Sequence, residues 1–413
     1  MIWMLLVALQ DTPLERYLSE KDPAARSKLL AEVKGTVAEV ESELRKPPRR
    51  GPAEGTGQVV RRKVKANHEK GGEFEYVLWV PKDYRPESPC RLVISLHGQN
   101  GNGPDFMKNW LSDLQAAGDT FLLCPSAGRG GWGHSLLGYR YILDSMKDVE
   151  ATYAIDPDRV FIDGASMGGN GSFQFACVFP DLFAGAAPRS GGPVYRYTMS
   201  EKKEKVLVAE GLENLLATPL YWTVGARDPE VPTSWVHLAK EKIDALKLDC
   251  IFREFPEGGH EWFPQENAKV LAWMGTKRRT AYPARVGIET ADRLFNRAFW
   301  LEVTEFKGKE IIKRNYMDLD KKPIEERLVF QEEIHVRGEL ATETNEIKIT
   351  ASGARELKVY LHERMVDFAK PVAISVNGSR STYTAKASLE TLLESARRDR
   401  GLLYTVAVKV RVP

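Results

Sequence analysis

Apolar residues in the middle of the chain fall into short continuous runs, each bounded by glycine, proline or charge. "RLVISLHG", "TFLLCP", "RVFIDGAS", "AGAAPRSG", "PLYWTVGA" and "CIFREFP" follow one another between Arg91 and Pro256. Runs that do not alternate predict strands buried on both faces, and hence a parallel sheet with crossover helices. The intervening segments carry helical apolar spacing, as in "LLGYRYILDSMKDVEATY" and "SWVHLAKEKIDALKL". Ahead of them, "QVVRRKVKAN" and "FEYVLWVP" flank "HEKGGE" and predict an antiparallel hairpin. The expectation is a doubly wound α/β domain over residues 58–280.

Different textures flank this block. Residues 11–46 predict helix, with Thr12 before Pro13 as its start, and the breaker-rich "PPRRGPAEGTG" then forms a linker ending at Gly57. After "TKRRTAYP" the pattern alternates, in "RAFWLEVTEF", "NEIKITAS", "ELKVYLHE", "VAISVNG" and "TVAVKVRV". Alternation predicts strands with one wet face, and "VNGS" at Val376–Ser379 puts Asn-Gly where a tight hairpin turn needs positive φ. One helix, "SLETLLESARRDR", interrupts the series, and residues 285–413 are expected to form a smaller β-rich domain. Residues 1–10, "MIWMLLVALQ", are apolar for nine positions, too few to span a bilayer. They lack an early basic residue and an A-x-A site, so they read as an abbreviated export signal. A secreted or periplasmic location is expected, with the cytoplasm as the alternative.

Composition narrows the partners. Apolar residues are 43% and charged residues 28% of 413, the balance of a globular protein with enough chain for two cores. Lys plus Arg is 59 and Asp plus Glu is 57, so no net field gathers phosphates, and the basic runs carry no interleaved aromatics. No nucleic acid is expected. Cys90, Cys124, Cys177 and Cys250 form no CxxC pair, which argues against zinc or a redox dithiol. Cys90 precedes one strand and Cys124 ends the next, so they are expected at opposite edges and unbonded. No glycine loop is followed by Gly-Lys-Ser/Thr, no dinucleotide fingerprint occurs and no ligand-spaced cluster stands out, so neither cofactor nor metal is expected.

In a parallel α/β sheet the chemistry sits beyond the carboxyl ends of the strands. "RVFIDGASMGGNGSFQFA" is a strand, then Gly164-Ala165-Ser166-Met167-Gly168, then a helix, which is the context a G-x-S-x-G nucleophile elbow requires. A serine hydroxyl is a weak nucleophile at neutral pH and needs a base and an orienting acid. Of seven histidines, His260 in "FPEGGHEW" follows a strand and comes after the elbow. His97, His134, His68, His237, His335 and His362 fall in other loops, in a helix or in the C-terminal domain. "VGARDPEVP" supplies Asp228 at a strand exit between serine and histidine, with Glu230 its nearest competitor. The expected triad is Ser166, Asp228 and His260. The oxyanion would be met by the Met167 amide and by Gly98 or Gln99 in "HGQNGNG". Trp132, His134 and Trp262 lie in loops on the same edge and are candidate pocket residues.

With "HGQNGNG", "GASMGGNGSF", "VGARDPEVP" and "EGGHEW" in place, residues 58–280 resemble the α/β-hydrolase superfamily. "YAIDPDRVFIDGASMGGNGSFQFACVFPDLFAGAAPRSGG" is similar to secreted esterases related to polyhydroxybutyrate depolymerases and to feruloyl or acetylxylan esterases. The resemblance implies a carboxylesterase acting through an acyl-enzyme, with those triad roles and an ester, small or polymeric, as substrate. Prolyl-oligopeptidase-like proteins share much of the pattern, so a serine peptidase is the alternative, although the chain lacks a β-propeller. A third reading is an inert hydrolase fold that binds rather than reacts. The β-rich part looks like an extension of some bacterial relatives, with gripping a surface or polysaccharide as its candidate role.

Overall fold

The structure is a computed structural model that describes residues 12–46, 50, 54–65, 73–127, 131–132, 136–199, 205–316, 323–398 and 401–413. The apolar leader and His134 lie outside the described residues.

Eight strands form one sheet, numbered here in chain order: β1 (Val59–Lys65), β2 (Glu73–Trp79), β3 (Cys90–Leu96), β4 (Thr120–Pro125), β5 (Ile155–Ala165), β6 (Gly185–Arg189), β7 (Leu220–Gly225) and β8 (Cys250–Phe255). Their spatial order is β1-β2-β4-β3-β5-β6-β7-β8. β1 and β2 form the antiparallel hairpin, β2 meets β4 antiparallel, and every later pairing is parallel. The continuous apolar runs have the burial they predict, since every residue of β3, β4, β6 and β7 is buried. β8 differs: it alternates between half-buried and exposed because it closes the sheet edge, with only β7 beside it. Helices Leu136–Thr152, Met167–Val178 and Thr233–Ala245 cover one face through Ile142, Phe173 and Ile243. Lys108–Ala117 and Asn267–Thr276 cover the other through Trp110, Leu114 and Met274. Cys90 opens β3, Cys124 lies near the end of β4, and all four cysteines are free thiols.

The C-terminal part builds a five-stranded and a four-stranded sheet around Trp300, Leu301, Val336, Ile347, Val359 and Tyr404. Asn377 and Gly378 have φ of 49° and 84°, and Val376 pairs with Ser379 across them, which is the tight turn that Asn-Gly specifies. Strands Arg285–Thr290, Ile334–Ala341 and Ser379–Tyr383 have no counterpart in the sequence reading. Arg285–Thr290 is almost wholly buried and so shows no alternation.

The N-terminal helical stretch is three short helices, Pro13–Ser19, Pro23–Glu32 and Val37–Leu44. Thr12 and Thr36 start the outer two with reciprocal Thr–Glu capping boxes, and Asp22 caps the second ahead of Pro23. They pack on helix Leu389–Arg398, burying Tyr17, Val33 and Val40 against Leu392, Leu393 and Leu403. The Tyr17 hydroxyl donates to Glu394 at 2.7 Å, and Arg26 pairs with the same carboxylate at 2.9 Å. Chain start and chain end therefore share one small core, a contact that no local pattern reveals.

Candidate active site

β5 delivers Ser166 at its end, and helix Met167–Val178 begins at the next residue. Ser166 has φ 58° and ψ −122°, a conformation that L-residues adopt at a cost. The glycines around it make the turn possible. A Cβ on Gly168 would run into the Leu96 carbonyl, and one on Gly164 into the Gly168 carbonyl. Ser166 is thus raised over the N-terminus of a helix whose first amides have no partner within the helix.

His260 comes in from the turn after β8. Its Nε2 lies 2.7 Å from Ser166 Oγ, and its Nδ1 lies 2.8 Å from Asp228 Oδ2. Asp228 is buried beyond the end of β7, and its other oxygen accepts from the Glu230 and Val231 amides at 2.8 and 3.0 Å. Those amides leave the acid one free oxygen, and it faces the histidine. Glu230, the competing acid, is exposed and enters this arrangement only through its backbone. The bond pattern sets the tautomer: Nδ1–H donates to the carboxylate, and Nε2 is left to accept from the serine.

The strand–elbow–helix unit and the chain order Ser166, Asp228, His260 across a mostly parallel sheet decide the fold. It is that of an α/β-hydrolase.

No protein-family model matches the chain. The chain is 26% identical over 242 residues to poly(3-hydroxyalkanoate) depolymerase C of Paucimonas lemoignei, covering 54% of this chain and 49% of that one. It is 30% identical over 125 residues to feruloyl esterase C of Emericella nidulans, covering 29% of this chain and 46% of the relative. The chain thus spans about half the length of the curated relatives it matches. A thermostable esterase of known structure superposes with a TM-score of 0.43 at 25% identity, over 54% of this chain and 63% of that one.

The loop after β3 lies against the elbow. A Cβ on Gly98 would sit 3.4 Å from Ser166 Cβ and 3.9 Å from its Oγ, which places this backbone in van der Waals reach of the serine. Gly101 N–H donates back to the Gly98 carbonyl at 3.1 Å, making a tight turn that carries Gln99 and Asn100, the latter at φ 60°. His97 is buried beneath it. Its Nδ1–H donates to the Gly98 carbonyl at 2.7 Å and its Nε2 accepts from the Ala127 amide at 3.0 Å, and burial pushes its pKa down, so it stays neutral.

The expected pocket residues are placed differently from one another. Trp132 is fully buried, with its indole N–H donated to the His97 carbonyl at 2.8 Å and its ring edge-on to the imidazole. That placement makes it a support under the loop, and its proposed place in the pocket wall does not hold. Trp262 is partly exposed and meets Phe106, also partly exposed, edge-to-face at 5.2 Å. Phe106 ends the short helix after the "HGQNGNG" loop. The sequence reading passed over it because one apolar residue in a helix carries no signal.

Asp163 and Arg189 were missed as well. Both are fully buried and pair at 3.3 Å in the interior behind the elbow. The signal was available, since a charge inside "RVFIDGAS" interrupts an otherwise apolar strand. Among the described residues, Glu213, Glu289 and His335 offer ligand atoms within 4.8 Å of one another. These groups already serve ion pairs, Glu213 with Arg337 at 2.8 Å and Glu289 with Lys242 at 2.9 Å, where the α/β domain meets the β-rich part. Two cations in that position oppose a third.

Proposed function

We propose that the chain is a serine carboxylesterase that hydrolyses carboxylic esters through an acyl-enzyme at Ser166. The observation that carries this reading is the pair of hydrogen bonds running from Asp228 through His260 to Ser166. His260 Nε2 takes the hydroxyl proton as Oγ attacks the ester carbonyl, and Asp228 holds the resulting imidazolium in place. The tetrahedral oxyanion is met by the Met167 N–H at the helix start and by an N–H of the Gly98–Gln99 segment. His260 then returns its proton to the departing alkoxide. Water enters, His260 takes its proton in turn, and the acyl group leaves as the acid with Ser166 restored.

The relatives named above, a poly(3-hydroxyalkanoate) depolymerase and a feruloyl esterase, support esters over amides as the substrate class. The Phe106–Trp262 pair supports an acyl or alcohol group with an apolar face. A series of p-nitrophenyl and hydroxycinnamoyl esters, run beside matched anilides, tests the reading. Ester turnover that disappears in Ser166→Ala is the expected result. Anilide turnover without an ester preference would replace the esterase by a peptidase, and no turnover of either would leave a binding protein.

A further inference from the structure

The buried Asp163–Arg189 pair lies where the three parts of the proposed active site meet. We infer that Asp163 and Arg189 are positioning residues, an ion pair that docks the His260 turn onto the nucleophile elbow and the loop after β3. The inference rests on the esterase reading of Ser166.

Each arm of the pair reaches a different part of the site. Asp163 precedes Ser166 by three residues on β5. One of its oxygens accepts from Ser95 Oγ at 2.5 Å and from Trp110 Nε1 at 2.9 Å. Ser95 lies two residues before His97, and Trp110 belongs to helix Lys108–Ala117, so the carboxylate ties β5 to both sides of the "HGQNGNG" loop. Its other oxygen takes Arg189 Nε at 3.3 Å.

Arg189 ends β6, and its carbonyl accepts the Ser166 N–H at 3.1 Å. Its Nη1 donates to the carbonyls of Trp262 and Phe263 at 3.2 and 3.3 Å and to Asn267 Oδ1 at 2.7 Å. Those carbonyls lie two and three residues past His260. The guanidinium lies 3.9 Å from the Trp262 centroid and 4.8 Å from that of Trp110, in the corner between two nearly perpendicular rings. Asn267 passes the connection on, donating to the Asn109 carbonyl at 2.8 Å and to Asp113 at 2.9 Å. The residue just after β6 joins in. Ser190 Oγ donates to the Glu261 carbonyl at 2.7 Å and accepts the Glu261 N–H at 3.2 Å. Residues 261, 262 and 263 are therefore all gripped from the end of β6.

Burying both charges completely is costly, and an apolar pair of similar volume often gives equal or greater stability. An apolar pair cannot hold Asp163 through one nitrogen and aim a second at two backbone carbonyls, as Arg189 does with Nε and Nη1. The His260 turn has no regular structure of its own, and a displacement of about 1 Å at a reacting group costs roughly 10²-fold in rate. Alignment is thus the property that this pair supplies and an apolar pair would not.

Two variants of the full chain test the inference. Arg189→Lys keeps the charge opposite Asp163 but has one nitrogen where the guanidinium uses two, Nε for Asp163 and Nη1 for the carbonyls. The double variant Arg189→Met/Asp163→Asn removes both charges, so neither is left buried alone. For each, kcat and KM on a p-nitrophenyl ester, the thermal midpoint and the downfield His260 Nδ1 proton resonance are compared with wild type. Both variants are expected to unfold near the wild-type temperature with KM unchanged. Their kcat is expected to fall about 10²-fold, with the imidazole proton broadened or lost even without substrate. Wild-type kcat and a sharp proton signal in the double variant would make the pair a matter of stability alone and overturn the inference. So would a double variant that fails to fold while Arg189→Lys keeps wild-type kcat and signal. Failure of the esterase reading looks different, because wild type itself would then neither turn over esters nor lose activity in Ser166→Ala.

Discussion

Asp228 gives one carboxylate oxygen to His260 Nδ1 at 2.8 Å and both bonds of the other to the amides of Glu230 and Val231. The acid is fixed by backbone, so its orientation does not depend on the histidine. Asp228→Asn keeps its carbonyl oxygen on those two amides and therefore turns an N–H, a donor where an acceptor is needed, toward His260. The histidine then presents a protonated Nε2 to Ser166 and cannot act as base. Ester kcat is expected to fall about 10⁴-fold with the thermal midpoint little changed, as measured by steady-state kinetics beside differential scanning calorimetry.

Gly168 faces the Leu96 carbonyl so closely that no side chain fits. Both partners are backbone, one in the elbow helix and one at the end of β3, so neither can move aside alone. Gly168→Ala is expected to destabilise the fold by about 3 kcal/mol, visible as a lowered denaturant midpoint before any assay of activity. An unchanged midpoint would mean that the elbow is looser than its geometry indicates.

Trp132 acts at one remove from the serine. Its indole N–H is bonded to the His97 carbonyl, and His97 in turn holds the Gly98 carbonyl. Trp132→Phe keeps most of the buried ring and deletes the donor, leaving a buried carbonyl unpaired. A loss of about 1–3 kcal/mol of stability is expected, with a fall in kcat and little change in KM. A change confined to KM would instead return Trp132 to the pocket wall.

The seam between the α/β domain and the β-rich part is expected to respond to pH. Burial alone would raise the pKa of Glu213, but hydrogen bonds from His335 and Arg337 bring it down to about 2. The bond to Glu213 raises His335 above the usual histidine range. A lowered carboxyl contributes stability that is present above its unfolded value near 4.5 and is lost as pH falls toward 2. A raised histidine contributes stability that is full below its unfolded value and is lost as pH rises through the folded one. Glu213→Gln is therefore expected to lower the thermal midpoint at pH 5–6 more than at pH 8, or at pH below about 3. A deficit independent of pH would remove the ionic account of the seam.

The sheet was legible because its strands are buried on both faces and so stand out as unbroken apolar runs, from "RLVISLHG" to "PLYWTVGA". The candidates Ser166 and Asp228 stand out because each follows such a run, and His260 because it follows the edge strand β8. Contacts that join distant segments could not be read that way. Tyr17 meeting Glu394, or Arg189 reaching past His260 to Trp262 and Phe263, depends on the packing of elements with no shared local pattern. Trp132 was misplaced for a related reason: a loop aromatic beside glycines gives no sign of whether its ring faces solvent or the back of the loop it supports.

The central claim is that Ser166 is an activated nucleophile, and a fluorophosphonate probe tests it most directly, since the probe reacts with such a serine whatever the substrate. Intact-mass and peptide mass spectrometry should find one phosphonyl adduct on the peptide containing Ser166, no adduct in Ser166→Ala, and greatly slowed labelling in His260→Ala. No adduct on folded wild-type protein, or an adduct that survives Ser166→Ala, would contradict the account.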